Sequence, residues 1–499
     1  MGNEVLNMAD YFLFDRIRDG HGGREAIRTD DGTLTYDQVG ALAGGMGRRL
    51  ERLGVTRGDR VLISMPDGPE YVASLFGTLA IGAVAVMINP ELRADHLSAI
   101  LDAARSPVAI VASAHLDAIT AASTLSSHPP HALVIDPGGL EPDDGLLPTR
   151  TLRDEPSIWL FSGGTTGVPK IVVQSHGSFV NTTERYAHQT IGFRPDDVTI
   201  SVPRLFFGYA TGANLLFPFS VGASTVLFPD RPTPAVLFDQ IRRHRPTILV
   251  TAPSAINAMV SDEAAAGADL TSLRLATSAG EALPETMYHR WREQFGIELL
   301  DGLGTAEMWH IFITNRLGDV KVGTVGRVVP GFDVKACDEA GAPVATDEVG
   351  RMWVRGGSLA QGYWEDPEQT AAAFRGEWFV GGDLISIDAD GYVSHRGRAD
   401  DAIKVKGKWL NPQEVESCLL EHKAVKECAV VALEDDDGLL KPAAFVVASA
   451  SISEAELKQH VLDRLEPYKH PRRVIFLDRL PETHLGKVDR GALKRLARP

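Results

Sequence analysis

Basic residues are in short supply. The chain has 50 Lys+Arg against 66 Asp+Glu, a formal net charge of −16 over 499 residues. So acidic a chain lacks the electropositive face that nucleic-acid phosphates need, and no nucleic-acid partner is expected. A phosphate ligand has to be held locally, by a loop and a few placed cations. Cysteine is scarcer still. Cys337, Cys418 and Cys428 are too few and too scattered for a disulfide framework or a zinc site. Read as passive packing residues, they fit a reducing cytoplasm. The opening MGNEVLNMADYF carries acids early and has no apolar core of the kind a secretion signal needs. Leu6 also stands where a myristoylation signal has Ser or Thr. One apolar run, residues 71–88 (YVASLFGTLAIGAVAVMI), is uncharged over the roughly 18 residues at which a membrane span begins. Gly77 and Gly82 interrupt it, and its end is β-branched. It reads as a buried helix, a glycine turn at Gly82 and a buried strand, so no membrane partner is expected. Fixed-period repeats and low-complexity blocks are absent.

What is present is an ordinary globular balance. Hydrophobic residues make up 44% and charged residues 23%, which excludes global disorder. The length allows two to four domains at about 150 residues each. Apolar runs at 60–65, 84–89, 108–113, 132–136 and 247–253 read as strands, with helices at 74–81 and Pro234–His244. Such alternation predicts an α/β fold with parallel sheets and helices on their faces. Residues 136–149 (DPGGLEPDDGLLPT) read as an exposed connection. After about residue 320 the pattern changes. Residues 333–344 and 350–364 look like short antiparallel strands with turns, and a helix should start after Asn411-Pro412. A domain boundary near Asp400 divides the chain into 1–399 and 400–499.

Four clusters carry chemistry. The first is SGGTTGVPK, residues 162–170, directly after the apolar SIWLF. Gly163, Gly164 and Gly167 let backbone N–H groups turn inward as an anion nest. Ser162, Thr165 and Thr166 add hydroxyl donors, and Lys170 adds a charge. A polyphosphate needs this collection; a Gly/Ser linker is the bland reading. It is not a Walker A loop, because Pro169-Lys170-Ile171 replaces Gly-Lys-Ser/Thr. The second cluster is DGLGTAEMWHIF, residues 301–312. It begins like a dinucleotide fingerprint, but Glu307 occupies the third glycine's place. Glu307 suits a magnesium ligand beside phosphates, or else a helix-start acid facing the dipole. His310 reads as a pocket residue or a satisfied core histidine. The third is GGDLISIDADGYVSHRGRADDAIKVKG, residues 381–407. There Asp383 could accept from a ribose diol, with Arg398 and Asp400-Asp401 at a turn; a surface charge cluster is the alternative. The fourth is LGKVDRGALK, residues 485–494, with Lys487 in a loop after Gly486, which taken alone is an exposed lysine.

In this order and spacing the motifs resemble the adenylate-forming superfamily of acyl- and aryl-CoA synthetases, standalone adenylation domains and luciferases. The resemblance covers essentially the whole chain. SGGTTGVPK is similar to that family's phosphate loop, and SAGEALP (278–284), with Gly280 and Glu281, to its adenine-contacting segment. GLGTAE, with Asp301, Gly302 and Thr305, is similar to its Gly-x-Thr-Glu motif, and GGDL to its ribose-binding aspartate. GRADDAIKVKG resembles the hinge at Asp400, with Lys406 and Gly407 towards coenzyme A, and the terminal Gly-Lys its catalytic lysine, Lys487. More narrowly, LFFGYATG (205–212) and EMWHIF (307–312) resemble benzoate-CoA ligases and related aryl-CoA ligases. That match implies an acyl site of Phe207, Gly208, Tyr209, Ala279, Gly304, His310 and Ile311. The chain departs from these patterns at Ala306, where the family usually has Thr, at Gly381 for Thr, at Gly208 for Ala, and at Ala210 for Gly.

The resemblance implies a large N-terminal domain of αβ layers with a β-barrel-like subdomain, then a small mobile α+β lid. It implies ATP, Mg²⁺ and coenzyme A, and a reaction in two halves. An aryl carboxylate, a substituted benzoate or a bicyclic aryl acid, attacks ATP to give aryl-AMP, and the thiol of coenzyme A then displaces AMP. Three other readings stay open: loading of a carrier protein's phosphopantetheine, a ligase for another carboxylic acid, and a non-catalytic nucleotide-binding scaffold.

Overall fold

The computed structural model describes residues 4–162, 170–399, 401, 403–405, 408–434, 440–481 and 488–497. By internal contacts the chain divides into two compact units, Met1–Val334 with Val354–Phe379, and Lys335–Trp353 with Val380–Pro499.

The first unit holds two sheets. In the seven-stranded sheet, Arg60–Ser64 lies between Val84–Met87 and Val108–Val111, all parallel, and His131–Val134 follows on Val108–Val111. The nine-stranded sheet places Ile248–Thr251 between Val198–Ser201 and Leu275–Ala279, also parallel. All five strands expected from apolar runs are present. Strands covered on both faces cannot alternate with polar residues, and 84–87, 108–111 and 248–251 are buried at every position.

The helices follow their local signals. Pro234–His244 has the bounds read from the sequence: Thr233 caps it by accepting from the Val236 N–H, and Pro234 pre-sets the first turn. The helix expected from Ser74 starts earlier, at Pro69, because proline is well suited to the first helical position. It ends before Gly82, whose φ of +77° turns the chain into strand Val84–Met87. The apolar run 71–88 is therefore helix, turn and strand, and among the described residues no helix is long and apolar enough to cross a membrane.

The connection 136–149 is less loose than its composition suggests. It docks on helix Tyr36–Arg52, where Asp143 N–H donates to the Ala41 carbonyl at 2.8 Å. A Cβ on Gly44 would lie 1.9 Å from the Asp143 carbonyl oxygen, so that glycine is needed for the approach. A core under the nine-stranded sheet gathers Ile200, Leu249, Ala276, Trp291 and Leu299. Burying one side chain of this kind contributes roughly 1.5–3 kcal/mol.

The second unit contains a three-stranded sheet, Val425–Glu434, Leu440–Ala448 and Arg473–Phe476, and a small pair, Ile403–Val405 with Lys408–Leu410. The helix expected after Asn411 is Pro412–Leu420, and the Asn411 side chain caps it from the Gln413 N–H. A five-stranded sheet includes Phe332–Cys337, Gly350–Gly356 and Trp378–Ile387, strands within which the division between the units falls. This sheet stands where a barrel-like subdomain was expected. Residues 350–364, expected as short antiparallel strands with turns, hold two strands that join different sheets: Gly350–Gly356 lies in the five-stranded sheet, and Gly362–Tyr363 pairs antiparallel with Lys170–Ser175 in the seven-stranded sheet. The thiols of Cys337, Cys418 and Cys428 are free, and burial pushes each up, that of Cys418 to about 11. They are packing residues, as their scarcity implied.

Candidate active site

The Gly/Thr-rich loop is a strand-to-strand connection. Pro156–Ser162 and Lys170–Ser175 are antiparallel, and Ser162 pairs with Lys170 at its base. Gly163, Gly164, Thr165, Thr166 and Gly167 lie outside the described residues, as do Asp400, Lys406, Gly407 and Lys487. At the base of the loop the Lys170 ammonium sits 5.1 Å from the centre of the Tyr363 ring. The Tyr363 hydroxyl donates to Glu307 Oε1 at 2.8 Å, and Glu307 is buried. The Ala360 N–H donates to the Glu307 carbonyl, and the Gln174 amide to that of Ala306. One short strand, Gly362–Tyr363, thus ties the exit of the loop to the acid.

Glu307 is the middle residue of a single 3-10 turn, Ala306–Met308, which Thr305 caps from the Met308 N–H at 3.3 Å. So short a turn has little dipole for an acid to complement. The turn ends at Trp309, a non-glycine residue with φ of +62°. Its ring fills the space between Phe179, at 4.2 Å, and Phe217, at 5.6 Å.

His310 is buried among the rings of Tyr209, Tyr186 and Phe217. Burial holds its imidazole neutral, down to about 3. Nε2 lies 3.0 Å from the Tyr209 carbonyl, which can only accept, so Nε2 carries the proton. Nδ1 has no partner. The Tyr209 hydroxyl meets Thr277 Oγ1 at 2.7 Å. Phe207 caps the short helix Gly208–Thr211 and packs on Phe206 at 4.3 Å. A Cβ on Gly208 would sit 3.2 and 3.4 Å from the Leu160 methyls and 3.6 Å from the Trp309 carbonyl oxygen.

The pleat sorts the remaining residues. Leu275–Ala279 and Leu299–Gly304 run parallel, with Thr277 level with Leu300, Ser278 with Asp301, and Ala279 with Gly302. Level residues share a face, and faces alternate along a strand. Thr277, Ala279 and Gly302 therefore face Tyr209, while Ser278 and Asp301 face the other way. There Asp301 lines a cavity with Leu283, Leu299, Asn315 and Thr324. Its Oδ1 is buried without a partner. Gly304 is excluded from carrying a side chain, since its Cβ would stand 2.4 Å from the His310 carbonyl oxygen. Ile311 opens the returning strand Ile311–Thr314, buried against Gly302. Gly280 is exposed with φ of +91°, and Glu281 accepts from the Ser254 N–H and hydroxyl at the start of helix Pro253–Ser261.

Burial pushes the Asp301 carboxyl up to about 8. A carboxyl neutral in the fold but ionised in the open chain stabilises below pH 4 and loses that contribution as pH rises towards 8. Asp301→Asn removes the loss. The variant should gain on the wild type by on the order of 1–3 kcal/mol between pH 5 and pH 8, read as the change in their stability difference in denaturant unfolding. A pH-independent difference would mean that Asp301 is ionised in the native protein.

In the second unit, Asp383 on Trp378–Ile387 is level with Arg398 on Val393–Arg398. His395 Nε2 lies 3.0 Å from Asp383 Oδ1, and Arg398 is exposed.

Residues 14–364 match the AMP-binding enzyme family, and residues 414–487 match the AMP-binding enzyme C-terminal domain. The chain belongs to the AMP-binding enzyme family. Among its relatives, a benzoate–CoA ligase of Thauera aromatica is 39% identical over 98% of this chain and 96% of its own length. A 4-hydroxybenzoate–CoA/benzoate–CoA ligase of Rhodopseudomonas palustris is 36% identical, over 98% of this chain and 94% of its own. The solved structure of the anthranilate CoA ligase AuaEII in complex with anthranoyl-AMP is similar at a TM-score of 0.94 and 36% identity. That match covers 99% of this chain and 98% of the other.

Within this AMP-binding enzyme, sequence reasoning missed Tyr363, His395 and Thr277. Tyr363 follows a glycine in an unremarked Gly-Tyr-Trp, and nothing local ties it to Glu307, 56 residues away. His395 could have been found by pairing the two strands, because it lies on the strand that returns alongside Asp383.

Proposed function

We propose that the chain is an AMP-forming aryl-acid:CoA ligase acting on a substituted benzoate or a bicyclic aryl carboxylate. The observation that carries this is the join at Tyr363, whose hydroxyl holds Glu307 and whose ring meets Lys170 at the base of the Gly/Thr loop. The acids named for its relatives support the aryl class. In the first half-reaction a carboxylate oxygen attacks the α-phosphorus of ATP and the bond to pyrophosphate breaks. In the second, the coenzyme A thiolate attacks the acyl carbon and AMP leaves.

Carboxylate and triphosphate repel, so positive charge has to lie between them. Lys487 supplies it at the α-phosphate, and Ser162, Lys170 and residues 163–167 cradle the outer phosphates. Asp301 and Gly280 meet the adenine, Thr305 the phosphates, and Asp383 and Arg398 the ribose. Glu307 offers a buried, tyrosine-held carboxylate oxygen. A hard donor of this type fits Mg²⁺, which takes one or two carboxylates along with phosphate oxygens and water. When bound, the ion neutralises phosphate charge. Tyr209, His310, Ile311 and Ala279 wall the ring. We assign ATP and acyl binding to residues 1–399 and the lysine-bearing part to 400–499, with Asp400 as hinge and Lys406-Gly407 at coenzyme A. The two family matches, 14–364 and 414–487, support a boundary between them. The free thiols support a cytoplasmic setting.

The test is ATP–pyrophosphate exchange over benzoates, salicylates, naphthoates, cinnamates and medium-chain fatty acids, followed by thioester formation with coenzyme A or a phosphopantetheinylated carrier protein. Turnover of fatty acids alone would overturn the aryl reading, and transfer only to the carrier would overturn the coenzyme A reading.

Gly208 decides the size of the ring. The methyl of Gly208→Ala would stand 3.2 and 3.4 Å from the Leu160 methyls, a tight contact that takes up space at this side of the site. The preference for naphthoate over benzoate should fall about tenfold in kcat/KM, the scale of one methylene in a binding pocket. An unmoved ratio would mean that Gly208 does not border the ring.

A further inference from the structure

Asp67 is a buried acid that the reaction does not use. It sits in the turn between strand Arg60–Ser64 and helix Pro69–Ala80, with only 7% of its surface exposed. Its Oδ1 accepts the Leu205 N–H at 3.0 Å, and its Oδ2 lies 3.9 Å from Arg204 Nη1. Arg204 in turn donates to the carbonyls of Phe228 and Pro229, at 2.7 and 3.2 Å, and to that of Asp230. From this anchored turn the acyl segment begins. Phe207 N–H donates to the Arg204 carbonyl at 2.9 Å, and Thr211 Oγ1 donates to the carbonyls of Leu205 and Phe207.

We propose that Asp67 is a positioning residue for the acyl site, fixing the Arg204–Leu205 turn so that Phe207, Gly208 and Tyr209 stand where the ring binds. This rests on the reading that those three residues line the acyl site. The charged groups facing Asp67 are few. Arg204 favours its ionised form, the Tyr71 hydroxyl lies near without a partner, and burial outweighs Arg204, raising the carboxyl to about 6. The charge on Asp67 is therefore lost within a measurable pH range.

The experiment compares wild type with Asp67→Asn, whose amide oxygen can still accept from Leu205 but carries no charge for Arg204. KM for the aryl acid should rise about tenfold, while KM for ATP stays within twofold. In the wild type, KM for the aryl acid should climb as pH falls through about 6, and this climb should vanish in Asp67→Asn. A parallel rise in the ATP KM, or a climb that persists in the variant, would overturn the proposal. Should Asp67→Asn not fold, the wild-type profile remains decisive, since a flat KM between pH 5 and 8 overturns it. A wild type that turns over no aryl acid would instead refute the acyl-site reading.

Discussion

Lys487→Ala should lose adenylation by on the order of 10²–10³-fold, the scale of removing one preorganised contact to a developing charge. Thioester formation from supplied aryl-AMP should survive. The asymmetry follows from where charge appears. In the first half-reaction an anionic carboxylate approaches an anionic phosphate, and the pentavalent centre gathers charge that a cation has to meet. In the second, AMP departs from a neutral acyl carbon, and a lysine at the α-phosphate has less to do. The residues flanking Lys487 are well anchored. Asp489 N–H donates to the Pro481 carbonyl at 2.7 Å, closing the ends of this stretch, and Arg490 grips both oxygens of Glu416 at 2.6 and 3.0 Å. An unfolding midpoint measured on the same variant separates a lost charge from a lost fold. The measurement is both half-reactions on one preparation of the variant. Equal loss in the two would remove Lys487 from the adenylation step in particular.

What the sequence made legible were features whose cause is local. Runs such as VAVM and ILVT are apolar throughout because both faces of a parallel strand are covered, and no other environment asks for that pattern. The Thr233-Pro234 start of a helix and the Asn411-Pro412 start of another were readable because caps act within three residues. Contacts made across the sheets were not. Tyr363 reaches Glu307, and Asp67 reaches Leu205, only because strand order brings distant segments together. The GLG of residues 302–304 looked like the opening of a nucleotide fingerprint for a reason of its own: strand Ile311–Thr314 returns so closely that Gly304 has no room for a side chain. Asp301 and Gly302, adjacent in one motif, were grouped as one nucleotide contact. The pleat sends them to opposite faces, towards a cavity and towards Tyr209 respectively.

The same distinction between shape and charge decides the role of Glu307. Glu307→Gln keeps the size of the side chain and an amide oxygen able to accept from the Tyr363 hydroxyl, now at 2.8 Å. The 3-10 turn, capped by Thr305 rather than by Glu307, has no reason to move. Only the negative charge is lost. If that charge holds Mg²⁺ against the phosphates, adenylation should fall by on the order of 10²-fold, equivalent to about 3 kcal/mol of transition-state stabilisation. The magnesium concentration for half-maximal exchange should rise, because the site would keep phosphate and water oxygens but lose the anionic oxygen of Glu307. Thioester formation from supplied aryl-AMP, which has no pyrophosphate to neutralise, should change little. ATP–pyrophosphate exchange across a magnesium series separates the two accounts of this acid. A variant with wild-type magnesium dependence would make Glu307 a buried hydrogen-bond acceptor for Tyr363 and nothing more.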